Sequence, residues 1–451
     1  MTSLSTATSS IKGMGSPDRF VLLGAALAIE SWVATQFFEI TIVEIGSFAL
    51  SVQKILALVL LPVALLILRT WRIPLTLGWM AILMCAANSA WYVAHGAWSD
   101  PRMLGANIGS ILVFFGATVL YSGLAVARDG IARLGKAWAR WALVTSPVCV
   151  AQSLGLLPLF NVPSELLINR ATTIGLERAV GFKADPNFQA LMLVAGALYL
   201  VVFIRSSMSR TAQLGVIAVG ILATLSRMGI LLFVGVLLMN TIVAASQRGT
   251  ALRTIGRALI GGTIVAIGTT FAFLKGALPS GLQSYLTARF VDAWKVAVSV
   301  SAGQDVAAAS GAHLSSAAAR TLVALGALRV FVQNPVVGIG AGRSKEILVA
   351  ASGQFNVAHN TYLEMAMTGG LFGIAFLVVY FVPWVLLWPV RRTAFSADAA
   401  WNQMWGYSIA LYAVFALVFL LLSLNANSIL YVPVVVALAT QRARPTPSRS
   451  A

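Results

Sequence analysis

Asp185-Pro186-Asn187 opens the run FQALMLVAGALYLVVFI, residues 188–204, and Arg205 is the first charge after it. At 1.5 Å per helical residue, about 20 apolar residues cross the roughly 30 Å hydrocarbon core of a bilayer. The run therefore reads as a membrane span behind a turn, and the same grammar recurs along the chain. Of the 451 residues, 59% are hydrophobic and only 10% charged, and mean hydropathy is +0.87. An ordinary soluble domain carries about 25% charged residues, so a soluble protein is excluded.

Charge breaks and Pro or Gly punctuation place spans near 20–38, 48–68, 73–94, 103–125, 141–158, 188–205, 212–226, 228–245, 257–275, 362–388, 403–422 and 426–440. The expected fold class is all-α, a polytopic helical membrane protein of about twelve spans. Its expected parts are an N-terminal cytoplasmic tail (1–19), nine spans over 20–275 with a periplasmic loop near 159–187, a large periplasmic loop (276–361), three spans over 362–440 and a cytoplasmic C-terminal tail (441–451).

Net charge is +17, from 31 Lys+Arg and 14 Asp+Glu. In a soluble chain this would suggest nucleic acid. Here, with the N-terminus inside, 18 basic residues flank the cytoplasmic ends and 12 lie outside, while 10 of the acids fall outside. That asymmetry follows the positive-inside rule, so the partners expected from charge are anionic membrane lipids and not nucleic acid. Cys85 and Cys149 lie in separate apolar runs without metal-ligand spacing, and the chain has only 3 His. Neither a disulfide framework nor a zinc site is suggested, and no metal or other cofactor is expected.

In the long second loop, helical stretches are expected around 285–300 and 314–333. Leu322, Leu325, Leu328 and Phe331 should form the apolar stripe of the second, with Arg320 and Gln333 off it. The Ala-, Ser- and Gly-rich stretch 301–319 should join the two. Asn334-Pro335 should end the helix, because Pro disfavours helical geometry in the residue before it.

The strongest local signal is Asn334-Pro335-Val336-Val337-Gly338-Ile339-Gly340-Ala341-Gly342. It is followed by Ala358-His359-Asn360-Thr361-Tyr362-Leu363-Glu364 and by Thr368-Gly369-Gly370-Leu371-Phe372-Gly373. Upstream lie Arg178-Ala179-Val180-Gly181, Asp185-Pro186-Asn187 and Ser226-Arg227. From about 170 to 375 this pattern resembles the bacterial O-antigen ligase and polymerase superfamily, whose members carry an N-P-x-x-G-x-G turn, an H-N or H-S dipeptide and a Gly-rich helix start. The sequence departs from the commoner pattern at Gly369-Gly370, where many members have an acidic residue followed by one Gly.

The resemblance implies a metal-independent, inverting glycosyltransferase of the bacterial inner membrane, acting at the periplasmic face on a glycan carried by undecaprenyl diphosphate. In a ligase the acceptor is a sugar hydroxyl of lipid A-core; in a polymerase it is another lipid-linked repeat unit. The ligase is favoured, because one large external segment directly precedes His359. By position His359 matches the family histidine, Arg227 the Ser-Arg arginine and Arg320 the loop arginine.

The residues themselves suit that chemistry. Transfer from a diphosphate needs a base at the acceptor hydroxyl and positive charge on the departing phosphates. Imidazole suits the first task, and planar guanidinium forks suit the second. Arg178, Arg289, Lys54, Asn187 and Asn360 are the further candidates for binding substrate. Each has a plainer reading: His359 capping a helix, Arg227 snorkelling to headgroups, Arg320 on a solvated face, Arg178 pairing with Glu177 or Asp185. Glu39 and Glu44 are the rival bases, and His95 and His313 read as solvated or structural. A secondary transporter or lipid flippase is the other class of function, and it would need intramembrane charges or broken helices facing a cavity. Only Glu30 and Lys54 are clearly intramembrane charges in this reading.

Overall fold

The computed structural model describes residues 30–38 except 32 and 36, 41–51 except 46 and 47, 55, 59, 75–96, 130–160, 178–204 except 184, 207–247, 275–276, 294–295, 298–299, 316–340, 343–352, 360–393, 399–421 and 431–442. The predicted spans 103–125 and 257–275 fall almost wholly outside these residues, as do Lys54, Arg289, Glu39, His313 and His359.

The helices are α1 (Leu75–His95), α2 (Gly130–Ser153), α3 (Pro186–Phe203), α4 (Met208–Ala223), α5 (Arg227–Gln247), α6 (Ser316–Gln333), α7 (Ser344–Ser352), α8 (Thr361–Thr393), α9 (Ala399–Leu421) and α10 (Tyr431–Arg442). A short antiparallel hairpin, β1 (Thr41–Ile45) and β2 (Phe48–Ser51), precedes them. It is the exception to the all-α expectation. It takes the first residues of the predicted span 48–68 and places Glu44 opposite Ala49.

Among the described residues, Leu75–His95 and Pro186–Phe203 are long and apolar enough to cross a membrane, and Thr361–Leu387 is so by length and composition but is interrupted at Gly370. The sequence explains their ends. Asp185 caps α3 by accepting from the Asn187 and Phe188 N–H groups, at 2.6 and 3.4 Å, and Pro186 occupies the first turn, where no N–H is needed. Ser207 caps α4 in the same way.

The core is centred on α3, in which every side chain from Gln189 to Val201 is buried. It packs on α2, α4, α5 and α9. Small residues bring these helices close: Gly196 lies on Ala142, Gly220 on Ser146 and Gly229 on Ala190. Such contacts suit helices in lipid, where dispersion and close approach replace the hydrophobic drive. α8 packs on α1, α6, α9 and α10.

Three expectations are corrected. The span predicted at 141–158 is α2, which begins at Gly130. Its first three turns carry Arg133, Lys136 and Arg140, and charge was read as the mark of a flank. Arg140 pairs with Glu30 of the first predicted span. The face of α6 that is buried is Leu322, Val323, Ala327 and Val330, whereas Leu328 is exposed. Steps of three residues lag the helix by about 60° each, so a stripe from Leu322 to Phe331 wraps about half-way round it.

The third correction concerns α8. Gly370 has φ 54° and ψ −132° inside it, so the helix is broken there. The Tyr362 ring lies 6.3 Å from that of Phe381, although 19 residues of straight helix would separate them by about 28 Å. The chain folds back at Gly370 into a short arm and a long arm. What composition reads as a single span from 362 to 388 is thus a helical hairpin.

Candidate functional site

Two constellations gather the motif residues. The first is built where α4 turns into α5. Leu225, with φ 49°, is the one non-glycine residue in a left-handed conformation among the described residues. This uncommon geometry lets the chain reverse within three residues. Ser226 then caps α5, its Oγ accepting from the Gly229 N–H at 3.2 Å and donating to Asn187 Oδ1 at 2.8 Å. Arg227 is the first residue of α5 and is exposed.

Two further ties hold Arg178 beside this turn. The Ala179 N–H donates to the Ala223 carbonyl at 3.1 Å. Gln152, fully buried at the end of α2, uses all four of its hydrogen-bonding positions. Its Nε2 donates to the carbonyls of Pro158 and Gly181, each at 2.9 Å, and its Oε1 accepts from the N–H groups of Val180 and Gly181 at 3.2 and 2.8 Å. Arg178, Asn187 and Ser226-Arg227, separate in sequence, are therefore collected by α2, α3 and α4. Reading the sequence missed Gln152; a buried amide in an apolar run was its only signal.

The second constellation is the N-P-x-x-G-x-G turn seated on the α8 hairpin. The Asn334 amide Nδ2 donates to the Val330 carbonyl at 3.1 Å and closes α6, in keeping with the Asn-Pro stop. Beyond it the backbone runs against the break in α8. The Ile339 and Gly340 N–H groups donate to the Met367 and Thr368 carbonyls, each at 3.0 Å, and the Leu371 N–H donates to the Val336 carbonyl at 3.1 Å. These are the groups that breaking a helix at Gly370 releases. In lipid every such group needs an internal partner.

Glycine is required on both sides of the joint. A methyl group on Gly338 would overlap the Thr368 carbonyl, and one on Gly370 would lie 2.5 Å from the Val336 oxygen. Ile339, Val323, Ala327, Val330, Leu348 and Met367 seal the joint with a second apolar cluster. Arg320 is exposed near the start of α6, about 20 Å along the helix from Asn334, and lies apart from the joint.

At the start of α8, Asn360 Oδ1 accepts from the Leu363 N–H at 3.1 Å, so the residue that follows His359 is the helix cap. Glu364 is buried one turn on. Tyr362 donates to the Ala416 carbonyl at 3.2 Å and borders an apolar groove of about 550 Å³ walled by Leu377, Phe381 and Val385.

The joint also touches α1. The backbone at Gly340 lies against Trp91 and Tyr92. Three residues later the Arg343 guanidinium sits over the Trp91 ring, 3.9 Å from its centroid. His95 stacks on the same indole at 4.5 Å and hydrogen-bonds the Trp91 carbonyl through Nδ1 at 2.9 Å. His95 is thus a structural residue of the last turn of α1. Trp91 is held between the joint and the end of α1.

No curated protein matches the chain. Residues 212–378 match the family model described as O-antigen ligase. That stretch contains Ser226-Arg227, the glycine joint and the start of α8, and over it the chain is similar to the O-antigen ligase family.

Proposed function

We propose that the protein is an O-antigen ligase that transfers a glycan from undecaprenyl diphosphate to a sugar hydroxyl of lipid A-core, at the periplasmic face of the inner membrane. The carrying observation is the match to the O-antigen ligase family over residues 212–378, whose members are glycosyltransferase-like enzymes. His359 is the general base that removes the acceptor proton as its oxygen attacks the anomeric carbon. The bond to the diphosphate breaks on the opposite face, so the anomeric centre inverts.

Arg227 and Arg320 stabilise the negative charge that builds on the departing diphosphate, with Arg178, Arg289 and Lys54 as further cations for the donor. The carbonyls of Asn187 and Asn360 are engaged by Ser226 and Leu363. Their amide N–H groups are the part that meets sugar or phosphate oxygens. No metal takes part, and the apolar groove beside Tyr362 gives the polyprenyl chain a path along α8.

A broken helix is also what a secondary transporter uses to expose backbone groups to an ion. Here the carbonyls of Met367 and Thr368 accept from Ile339 and Gly340 instead. That pairing favours the transferase.

Deletion of the protein from a smooth strain tests the reading. A ligase null shows core lipopolysaccharide without O-antigen and accumulates lipid-linked polymer. Core bearing a single repeat unit would make the protein a polymerase, and intact lipopolysaccharide would overturn both.

A further inference from the structure

We propose that Arg343, laid against Trp91, is a phosphate-binding residue of the transfer site, with Trp91 as its positioning residue. The inference rests on the ligase reading and adds to it a cation that the sequence motifs do not contain.

Arg343 immediately precedes α7, and its carbonyl accepts the first helical bond, from the Ile347 N–H at 3.1 Å. Glu346 lies three residues on, within reach for a local ion pair. Among the described residues the two form none, and the contact of the guanidinium is the indole face. A cation–π contact at a partly exposed site is weak, so stability does not account for the choice. Geometry does. A guanidinium lying flat on a ring keeps its N–H donors at its edges, in the fork that fits two oxygens of one phosphate.

The indole is itself fixed. His95 stacks on it, Tyr92 meets it edge-on at 5.3 Å, and Gly340 of the joint lies against the Trp91 Cβ and the Tyr92 ring. The cation is therefore placed by the same residues that close the N-P-x-x-G-x-G turn, and little side-chain freedom remains to be lost on binding. The start of α7 adds the positive end of a helix beside it. The phosphate has two possible sources, the donor diphosphate or a phosphate on the core acceptor.

The experiment uses purified full-length protein in detergent, with R343Q, R343K, W91A and W91F. Binding of undecaprenyl diphosphate is measured directly, and transfer is measured with donor and acceptor varied separately. A donor phosphate predicts that R343Q weakens undecaprenyl diphosphate binding and raises the donor KM at least tenfold. R343K should recover little of this, W91A should follow R343Q, and W91F, which keeps an aromatic face, should stay near wild type.

If the acceptor supplies the phosphate, the KM for phosphorylated acceptor rises instead, and dephosphorylated acceptor loses the difference between wild type and R343Q. Both KM values within twofold of wild type in R343Q and W91A overturn the inference while leaving the ligase reading intact. Wild-type protein that neither binds undecaprenyl diphosphate nor transfers overturns both. Should R343Q or W91A fail to fold, R343K and W91F decide by the same criteria, with loss in the first and retention in the second.

Discussion

Replacing Gly370 by Ala attacks the joint on which the second constellation is built. The residue has φ 54° and ψ −132°, a conformation that costs a residue with a Cβ about 1–3 kcal/mol. The new methyl would also sit 2.5 Å from the Val336 oxygen, the acceptor for the Leu371 N–H. Relief requires opening that bond. At about 0.5–1.5 kcal/mol net per hydrogen bond, loss of this one gives a total of about 2–4 kcal/mol. If the Ile339 and Gly340 bonds open as well, the same bookkeeping gives about 3–7 kcal/mol. Gly215 is the control: it lies in α4 and a methyl there meets nothing within 4 Å, so G215A should gain up to about 1 kcal/mol. The two variants are compared by equilibrium unfolding in mixed micelles, with amide exchange followed at Ile339 and Gly340. Exchange at both amides should rise in G370A and not in G215A. A G370A protein as stable and as protected as wild type would refute the account of the joint.

Removing the base and the cations should separate chemistry from folding. His359→Ala should lower transfer about 10²–10⁴-fold while the protein stays folded, and near wild-type turnover in vitro would move the base to Glu39 or Glu44. Arg227→Ala and Arg320→Ala should each impair transfer strongly, with Lys restoring only part because it lacks the planar fork. Single-turnover rates and donor binding, measured together, check this, and two variants indistinguishable from wild type would displace the clamp to Arg178, Arg289 or Lys54. Gln152→Ala should destabilise the protein by at least about 3 kcal/mol, since it strands two N–H groups and two carbonyls of the 158–181 region. Thermal unfolding in detergent measures it, and an unchanged midpoint would mean that the loop is held elsewhere.

What could be read from sequence was local. The predicted spans at 73–94 and 188–205 meet α1 and α3 within two residues, because uncharged runs bounded by turns have little choice. The Asp185 cap, the Ser226-Arg227 turn and the stop at Asn334-Pro335 were legible for the same reason. The fold-back at Gly370 was not. Hydropathy averages along the chain and carries no direction, so two apolar arms look like one span. The start of α2 was hidden because charge near an apolar run reads as a membrane flank, and Arg140 instead finds Glu30. For the site, the motifs and the resemblance named Arg178, Asn187, Arg227, Arg320 and Asn360 as candidates. Gln152, Trp91 and Arg343 escaped because each is explained only by a partner distant in sequence. His359, Arg289 and Lys54 lie outside the described residues and stand on the sequence reading.

The glycine joint also limits what can be transplanted. Gly369 rests on Ala87 and Gly340 on Trp91 and Tyr92, all in α1, and Ser226 donates to Asn187 at the start of α3. Every one of those supports precedes residue 212, where the family match begins. The stretch 212–378 is consequently not a cassette. A chimera that exchanges it between relatives inherits the motifs but meets a foreign α1, whose smallest surface mismatch falls on backbone that has no room to yield. Recombination that carries Leu75–His95, Gly130–Ser153 and Pro186–Phe203 along with the matched stretch should give working hybrids, and crossovers placed at its boundary should not.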